Sequence, residues 1–371
     1  MQTLSSYIEK IKPVIKSQLS LSAWRSESSR LNIIQREIGH WQLKDVTKTE
    51  VVTWVNTPKP SKKKNAPPKP WSPKTRNAYL SLLRKVLKSA VEDNIIMRSP
   101  LRKVEFYKVG DAQAQPFTKK ELLRISSHEM TCHQARLMFT LGIATGLRIS
   151  ELIAVAWEDI DFHKKLLHVR RAKPLADDIY KVPKTNAAMR TIELNDIAIA
   201  TLRAAERYTA PLSQQRIKVK QRDNHTIKKV GVKFVFYNSF TDKPFLDPKQ
   251  YAKTFFTPML KALDVQHRGP SQIRHTFASQ AITMGLSKEW VRRQLGHVND
   301  DMLNKHYAQW IEEDASNHGE RYSSAMSASL KTETTSDIIK GEPMPIEQPK
   351  TSFFNWLLKP FAKKHRREQR L

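Results

Sequence analysis

Apolar residues recur every three or four positions along the first hundred residues, which is the spacing of amphipathic helices. Between Ser5 and Gln18 the apolar positions are Tyr7, Ile8, Ile11, Val14 and Ile15. A second helix is predicted from Ser26 to Ile38. The pattern therefore indicates that the first region of the chain is α-helical.

A longer helix is predicted to begin at Pro73, because the Ser72 side chain can cap its first turn. Proline is tolerated at this position, since the backbone N–H that it lacks would have no partner within the helix. Its apolar positions share one face: Tyr79, Leu82, Leu83, Val86, Leu87 and Ala90. The remaining faces are left to water or phosphate and carry Lys74, Arg76, Arg84, Lys85 and Lys88. This helix thus combines a core-facing stripe with a basic surface.

Residues 56–70 contain too much proline for a helix or a strand and are predicted to form a loop. Its lysines are Lys59, Lys62, Lys63, Lys64 and Lys69. The loop is either a solvated spacer or a basic finger on a phosphate backbone, and the density of lysine favours the finger. Such contacts would not read bases.

A polar stretch at residues 108–116, with Gly110 and Pro116 near its ends, predicts a linker. Beyond it, Thr118-x-x-Glu121 has the form of a helix capping box, with Leu122, Leu123 and Ile125 on the face behind it. Strands are predicted within residues 157–171 and 189–194. Further helices are predicted at residues 149–155, 273–284, 288–294 and 300–310. The fold class is therefore mainly α with a small antiparallel β-sheet.

The charge balance points to a polyanionic partner. The chain has 371 residues and a formal net charge of +28, and residues 1–110 hold 22 Lys and Arg against 8 Asp and Glu. The repulsion among so many positive charges is tolerated mainly in proteins that bind a negatively charged partner. Nucleic acid is the default partner of this kind.

The single cysteine, Cys132, excludes an internal disulfide and a cysteine-based zinc site, so a reducing compartment is expected. Neither a signal peptide nor an apolar run of membrane-spanning length is recognised. These features predict a cytoplasmic protein without a membrane span. No metal-ligand constellation and no nucleotide-binding glycine loop is found, so neither a metal nor another cofactor is expected.

Five short segments carry chemically distinctive residues in a fixed order: Ala144–Leu152 with Arg148, Val182–Thr185 with Lys184, Ile273–Ala278 with Arg274, Gln294–His297 with His297, and Asn304–Tyr307 with Tyr307. Each segment alone is weak. Together, and preceded by a basic helical region, they resemble the tyrosine recombinases, or phage-type integrases. The resemblance covers roughly residues 3 to 312.

Together the patterns and the resemblance predict four domains or segments: a helical core-type DNA-binding domain at 1–108, a linker at 109–116, an α+β catalytic domain at 117–314, and a C-terminal extension at 315–371. The composition of the extension predicts partial disorder. Its aromatic and basic end could form a membrane-surface helix, contact DNA or dock on another subunit, and the resemblance favours docking. The helical pattern starts near Met1, so the extra N-terminal domain of many phage integrases is not expected.

The resemblance also assigns catalytic roles. Arg148 and Arg274 would clamp the scissile phosphate, because guanidinium is permanently charged and forked for two oxygens. Lys184 would protonate the leaving 5′ oxygen, with Arg190 and Lys181 as less well placed alternatives. His297 would donate to a phosphate oxygen, and Tyr307 would attack the phosphorus to give a 3′-phosphotyrosyl bond.

Two accessory candidates accompany this set. Glu151, three residues after Arg148, could orient that arginine. Ser271 stands where relatives usually have histidine, and serine cannot accept a proton near neutral pH, so a base role there is in doubt. His267 and His306 are the weaker candidates to compensate.

The predicted function is site-specific DNA recombination that integrates or excises a mobile element of bacterial or phage origin. The DNA-binding candidates are Lys62, Lys63, Lys64, Lys74, Arg76, Arg84, Lys85 and Lys88. The expected partners are duplex DNA with specific core sites, other copies of the chain in a homotetramer, and DNA-bending accessory proteins. Two alternatives remain: a type IB topoisomerase and a catalytically inactive DNA-binding regulator.

Overall fold

The computed structural model describes residues 2–61, 65–110, 114–128, 132–175, 179–183, 187–297 and 326. The chain divides into two compact units, Met1–Asp111 and Ala112–Leu371. As the sequence predicts, the chain is mainly α-helical with small β-sheets. No helix in the described ranges combines the length and apolar character needed to cross a membrane.

The described part of the first unit contains four helices: α1 (Leu4–Ser17), α2 (Leu21–Ile38), α3 (Lys48–Asn56) and α4 (Pro73–Glu92). Each begins at a hydroxyl side chain that accepts a backbone N–H three residues further on: Thr3, Ser20, Thr47 and Ser72. Their apolar faces meet in one core that includes Tyr7, Leu31, Val55 and Leu83. Helix α2 begins earlier than the predicted Ser26.

Helix α4 confirms its prediction closely. It begins at Pro73 after the Ser72 cap, and all six residues of the predicted apolar stripe are buried. The predicted stripe is therefore the face of α4 that packs into the core.

The described α-helices of the second unit are α5 (Lys119–Ser127), α6 (His133–Thr145), α7 (Ile149–Leu152), α8 (Asp196–Thr209), α9 (Pro248–Tyr251), α10 (Thr257–Ala262), α11 (Gln272–Thr283) and α12 (Lys288–Leu295). A 3-10 turn spans Trp157–Asp159, and a π-helical stretch, Ala252–Phe256, joins α9 to α10. Helix α6 is buried along almost its whole length and packs against α8 and α11. The Thr118–Glu121 capping box of α5 is present. Leu123 was expected on the buried face of α5 but is exposed, whereas Ile125 is buried.

The described strands of this unit are β1 (Ile160–Asp161), β2 (Leu166–His168), β3 (Tyr180–Lys181), β4 (Thr191–Glu193), β5 (Gln215–Lys220), β6 (Ile227–Val232), β7 (Tyr237–Asn238) and β8 (Lys243–Pro244). They form three small sheets, ordered β1-β2-β4, β3-β5-β6 and β7-β8. All pairings are antiparallel except β3 with β5, which is parallel. Strands β1, β2 and β4 lie where the sequence predicts strands.

Helix α7 is shorter than the predicted helix at residues 149–155. After Leu152 the backbone turns, and Val155 accepts a hydrogen bond from the N–H of Val235 while Trp157 donates to the carbonyl of Lys233. This long-range pairing, centred on Ala156 opposite Phe234, replaces further helical hydrogen bonds. The shortened helix leaves Arg148 at the start of a single turn.

Candidate active site

Arg148 is positioned by a glycine turn. Gly146 ends α6 with φ of +67°, and a Cβ there would meet Phe277 Cδ1 at 2.5 Å and Leu295 Cδ2 at 2.8 Å. Both the backbone conformation and the close packing therefore require glycine. Two residues later Arg148 is the N-cap of α7, so the turn directs the chain from a buried helix to the site.

Glu151 holds Arg148 in place. Its carboxylate accepts from the backbone N–H of Arg148 at 3.0 Å and from Arg148 Nη1 at 2.8 Å. The Glu151 side chain is 4% exposed, whereas that of Arg148 is 41% exposed. One side of the Arg148 guanidinium is thus fixed by the protein, and the rest can meet a ligand.

A second arginine, Arg190, approaches Glu151 from just before β4. Arg190 Nη2 donates to Glu151 Oε2 at 3.0 Å, and Nη1 donates to Oε1 at 3.3 Å. Its Nε donates to the carbonyl of Gln294 at 2.6 Å, and its side chain is 6% exposed. Arg190 therefore ties α7 to the end of α12.

The charges around Glu151 fix its protonation. Burial would raise the pKa of this carboxyl, but Arg190 through its charge and hydrogen bonds, and then the charges of Arg148 and Arg274, lower the pKa to about 2. Glu151 is therefore an anion at any physiological pH. Its negative charge reduces the repulsion among the three arginines, Arg148, Arg190 and Arg274.

Arg274 lies in the first turn of α11 and is almost completely buried. Its Nη1 donates to the carbonyl of Gly146 at 2.9 Å, and its Nη2 donates to that of Leu295 at 2.7 Å. The same Nη2 lies 2.8 Å from His297 Nε2. Arg274 thus joins the turn before Arg148 to the turn that carries His297.

His297 follows a second glycine turn. Gly296 ends α12 with φ of +67°, and a Cβ there would meet the carbonyl oxygen of Ala187 at 2.5 Å and Arg190 Cδ at 2.7 Å. This turn brings the imidazole beside Arg274. Because the guanidinium can only donate, Nε2 accepts its hydrogen bond and a neutral ring carries its proton on Nδ1.

The protonation of His297 follows from its surroundings. Burial, and then the charges of Arg274, Arg148 and Arg190, lower the pKa of His297 to about 3. The imidazole is therefore neutral at physiological pH. A neutral imidazole adds no charge of its own to the site.

The structure thus gathers three of the five predicted catalytic residues, Arg148, Arg274 and His297, around the accessory Glu151. Lys184 and Tyr307 lie outside the described residues, as does His306. Ser271 is exposed and forms the N-terminal boundary of α11 without a side-chain cap. His267 Nε2 lies 3.5 Å from Thr257 Oγ1 and makes no hydrogen bond to the gathered residues among those described.

The predicted DNA-binding residues divide by environment. Lys74 is exposed, Lys85 is half-buried, and Lys88 pairs with Glu92 at 3.5 Å. The Arg76 guanidinium lies over the ring of Tyr107 at 5.1 Å, and that of Arg84 lies over Phe106 at 4.3 Å. Lys62, Lys63 and Lys64 lie outside the described residues.

Sequence reasoning considered Arg190 only as an alternative proton donor and missed its place beside Glu151. The two residues are 39 positions apart, so no local spacing could reveal their pairing. An arginine bound to a buried carboxylate and a carbonyl holds other groups in place and is not suited to give up a proton.

The chain is similar in sequence to known proteins. The model of the phage integrase family matches residues 115–313. Prophage integrase IntR of Escherichia coli (strain K12) is 27% identical over 243 residues, which cover 65% of this chain and 58% of IntR. A tyrosine recombinase XerC-like protein of Caldanaerobacter subterraneus is 25% identical over 245 residues, which cover 62% of this chain and 60% of that protein. The matches span less than two thirds of either relative.

Two solved structures share the fold. A Tn1549 transposon integrase in complex with circular intermediate DNA superimposes with a TM-score of 0.64 at 17% identity, covering 90% of this chain and 100% of that one. A lambda integrase dimer bound to a COC′ core site gives a TM-score of 0.60 at 15% identity, covering 82% and 94%. At these identities the likeness concerns the fold.

Proposed function

The chain belongs to the phage integrase family, and from this we propose that it is a site-specific DNA recombinase that integrates or excises a mobile element. It cuts and rejoins duplex DNA through a 3′-phosphotyrosyl intermediate. The observation that carries the proposal is the convergence of Arg148, Arg274 and a neutral His297 around the buried Glu151.

The chemistry of these groups suits a phosphodiester. Attack on phosphorus builds negative charge on the non-bridging oxygens, and donors fixed in advance stabilise that charge best. Arg148 and Arg274 are the proposed clamps on these oxygens, and the neutral His297 is the proposed third group at the phosphate. Because Glu151 and backbone carbonyls already hold both arginines, little reorganisation would accompany the reaction.

Tyr307 is the proposed nucleophile and Lys184 the proposed general acid. The Tyr307 oxygen forms a bond to phosphorus as the bond to the 5′ oxygen breaks, and Lys184 gives that oxygen its proton. A phenol has a pKa of about 10, so nearby cations are needed to favour transfer of its proton to solvent water as the bond to phosphorus forms. The reverse sequence, with a 5′ hydroxyl as nucleophile, rejoins the strand without an external energy source.

Two observations support these positions. The carbonyl of Ala187 lies against Gly296, so the first described residue after Lys184 is beside the turn that carries His297. Tyr307 follows His297 by ten residues, the order and spacing that the family resemblance implies.

The proposed partner is duplex DNA carrying specific core sites, bound by four copies of the chain, with DNA-bending proteins as accessory partners. A lambda integrase has been solved as a tetramer on a Holliday junction. That structure shares the fold of this chain, and exchange between two duplexes needs four cleavage events. The proposed location is the cytoplasm, on DNA.

A strand-exchange assay tests the proposal. Core sites would be selected from a randomised pool of duplexes by binding to the purified full-length protein and then placed on two labelled DNA molecules. Exchange of flanking DNA between the two molecules is the expected result. Relaxation of a supercoiled plasmid without exchange would instead identify a topoisomerase, and binding without any cleavage would identify an inactive regulator.

A further inference from the structure

Strands β5 and β6 form a regular antiparallel ribbon with two chemically different faces. The register places Ile217 opposite Val230 and Val219 opposite Lys228, while Lys218 lies opposite Lys229. Because successive side chains of a strand point to opposite faces and paired residues share one, the ribbon has one mostly apolar and one mostly basic face.

The apolar face anchors the ribbon to the second unit. Val219 and Val232 are buried in a cluster with Ala156 and Phe234, and Ile217 packs against the same cluster. The ribbon is therefore a fixed part of the fold. Its other face is directed away from this cluster.

The basic face carries four cations, Arg216, Lys218, Lys220 and Lys229. Three are exposed and Lys220 is half-buried, and none of the four makes an ion pair with any residue that the structure describes. Lys218 and Lys229 are direct cross-strand neighbours, an arrangement that destabilises a sheet. A like-charged pair at this position does not serve the stability of the ribbon.

The one acidic residue of the connecting turn does not neutralise this face. The Asp223 carboxylate accepts from the hydroxyl of Thr226 and from the backbone N–H groups of His225 and Thr226. Its charge is thus directed at the turn that it stabilises. The face keeps its positive charge over the length of both strands.

The ribbon adjoins the segment of the proposed general acid. Strand β5 pairs with β3, with Lys181 in register with Lys220, and the N–H of Val182 donates to the carbonyl of Lys220 at 3.1 Å. Val182 precedes Lys184 by two residues. DNA held for cleavage beside Lys184 would therefore pass close to the turn end of the ribbon, where Lys220 lies.

We propose that the basic face of the β5–β6 ribbon, formed by Arg216, Lys218, Lys220 and Lys229, binds the phosphate backbone of duplex DNA beside the cleavage site. This inference rests on the proposed DNA recombinase function and adds a contact surface outside the catalytic residues. Alternate residues on a strand are about 6.8 Å apart. Phosphates recur about every 3.4 Å of axis along one DNA strand, so successive lysines can reach separate phosphates.

Salt dependence of binding distinguishes this contact from a general effect of net charge. The test variant combines Arg216→Gln, Lys218→Gln, Lys220→Gln and Lys229→Gln. A matched control removes one Arg and three Lys from exposed helical positions of the same unit: Arg207→Gln, Lys249→Gln, Lys253→Gln and Lys261→Gln. Affinity for a duplex with a selected site would be measured by fluorescence anisotropy between 50 and 200 mM salt.

The slope of the logarithm of the binding constant against the logarithm of the salt concentration becomes shallower by about 0.9 for each lost phosphate contact. The slope of the ribbon variant, which lacks four cations, should therefore be shallower by about 3.6. Between 50 and 200 mM salt, the wild type should then lose on the order of 100-fold more affinity than the variant. The control should keep a slope near that of the wild type. Equal slopes for wild type and ribbon variant, or an equal loss in both variants, would overturn the proposal.

Stability measurements separate lost contact from lost folding. Because Lys218 and Lys229 repel each other, the double variant Lys218→Gln, Lys229→Gln should melt at or above the wild-type temperature while its slope falls by about 1.8. A fall in melting temperature with an unchanged slope would contradict the inference. Failure of the wild type to bind DNA would refute the proposed function as well. Normal DNA cleavage with an unaltered slope in the ribbon variants would refute only the DNA contact of the ribbon. An acidic protein would then be the partner that its basic face fits.

Discussion

Arg190 and Glu151 form a two-point ion pair, with hydrogen bonds of 3.0 and 3.3 Å, inside the site that also contains Arg148. The pair is almost fully buried, and Arg190 additionally binds the carbonyl of Gln294. The orientation of the exposed Arg148 and the position of the His297 turn therefore depend on one carboxylate and one guanidinium that need not touch DNA.

Replacing Arg190 should be costly. Arg190→Gln leaves the buried Glu151 carboxylate with Arg148 as its main partner, and the loss of one member of a buried ion pair costs about 3–5 kcal/mol. Urea unfolding would measure the free energy of unfolding. Arg190→Lys should lose less, because it keeps the charge without the forked geometry.

An exposed ion pair provides the control for Arg190. Lys165 pairs with Asp196 at 2.9 Å, and both side chains are more than half exposed. Lys165→Gln should therefore change the free energy of unfolding by less than about 1 kcal/mol. If Arg190→Gln were as mild as this control, Arg190 would not hold the site together.

Gly296→Ala should distort the His297 turn. The added methyl group would meet the Ala187 carbonyl and the Arg190 side chain, and alanine is strained at a φ of +67°. The expected cost is about 1–3 kcal/mol in thermal unfolding, with reduced DNA cleavage. Gly110→Ala, where nothing lies within 4 Å of the added Cβ, should stay within about 0.5 kcal/mol of the wild type.

His297 should make stability depend on pH. Its pKa is about 3 in the folded chain, and that of an unfolded histidine is about 6.5, so between these values the unfolded state binds more protons. This contribution is complete above pH 6.5 and is lost as the pH falls toward 3, with a slope of up to about 1.4 kcal/mol per pH unit.

The variant His297→Gln should flatten that slope. The free energy of unfolding of both proteins would be measured by urea titration from pH 4 to pH 7. Stability of the wild type should fall more steeply than that of the variant as the pH is lowered. Parallel curves would mean that the folded protein does not hold His297 neutral.

Replacement of Arg84 and replacement of Lys74 should affect the stability of the protein differently. The Arg84 guanidinium lies over the Phe106 ring, whereas Lys74 is exposed in the first turn of α4. Arg84→Ala should lower the free energy of unfolding by about 0.5–2 kcal/mol and also weaken DNA binding. Lys74→Ala should weaken DNA binding alone, by a similar factor for different DNA sequences. Equal stability losses in the two variants would contradict this division.

The features that could be predicted from the sequence are local. The Ser72 cap and the apolar stripe located α4, and the Thr118–Glu121 pair located the start of α5. The motif order pointed to Arg148, Arg274 and His297, although only the fold shows that Arg274 binds the carbonyl before Arg148 and the imidazole itself.

What the sequence did not yield depends on distant partners. Helix α7 stops early because residues 155–157 pair with residues 233–235, and Arg190 reaches Gln294 across 104 positions. The β5–β6 ribbon did carry a signal, since Ile217 and Val219 alternate with charged residues before Asp223. Its high charge concealed that pattern.

The most direct test of the account is to identify the residue that becomes bonded to DNA. The full-length protein would react with a selected duplex nicked beside the cleavage position, so that the covalent product is trapped, and the modified peptide would be mapped by mass spectrometry. We predict that the peptide contains Tyr307 bonded to a 3′ phosphate, and that Tyr307→Phe binds the duplex without forming an adduct. An adduct on Tyr251, Tyr322 or any other residue, or equal trapping by Tyr307→Phe, would contradict the account.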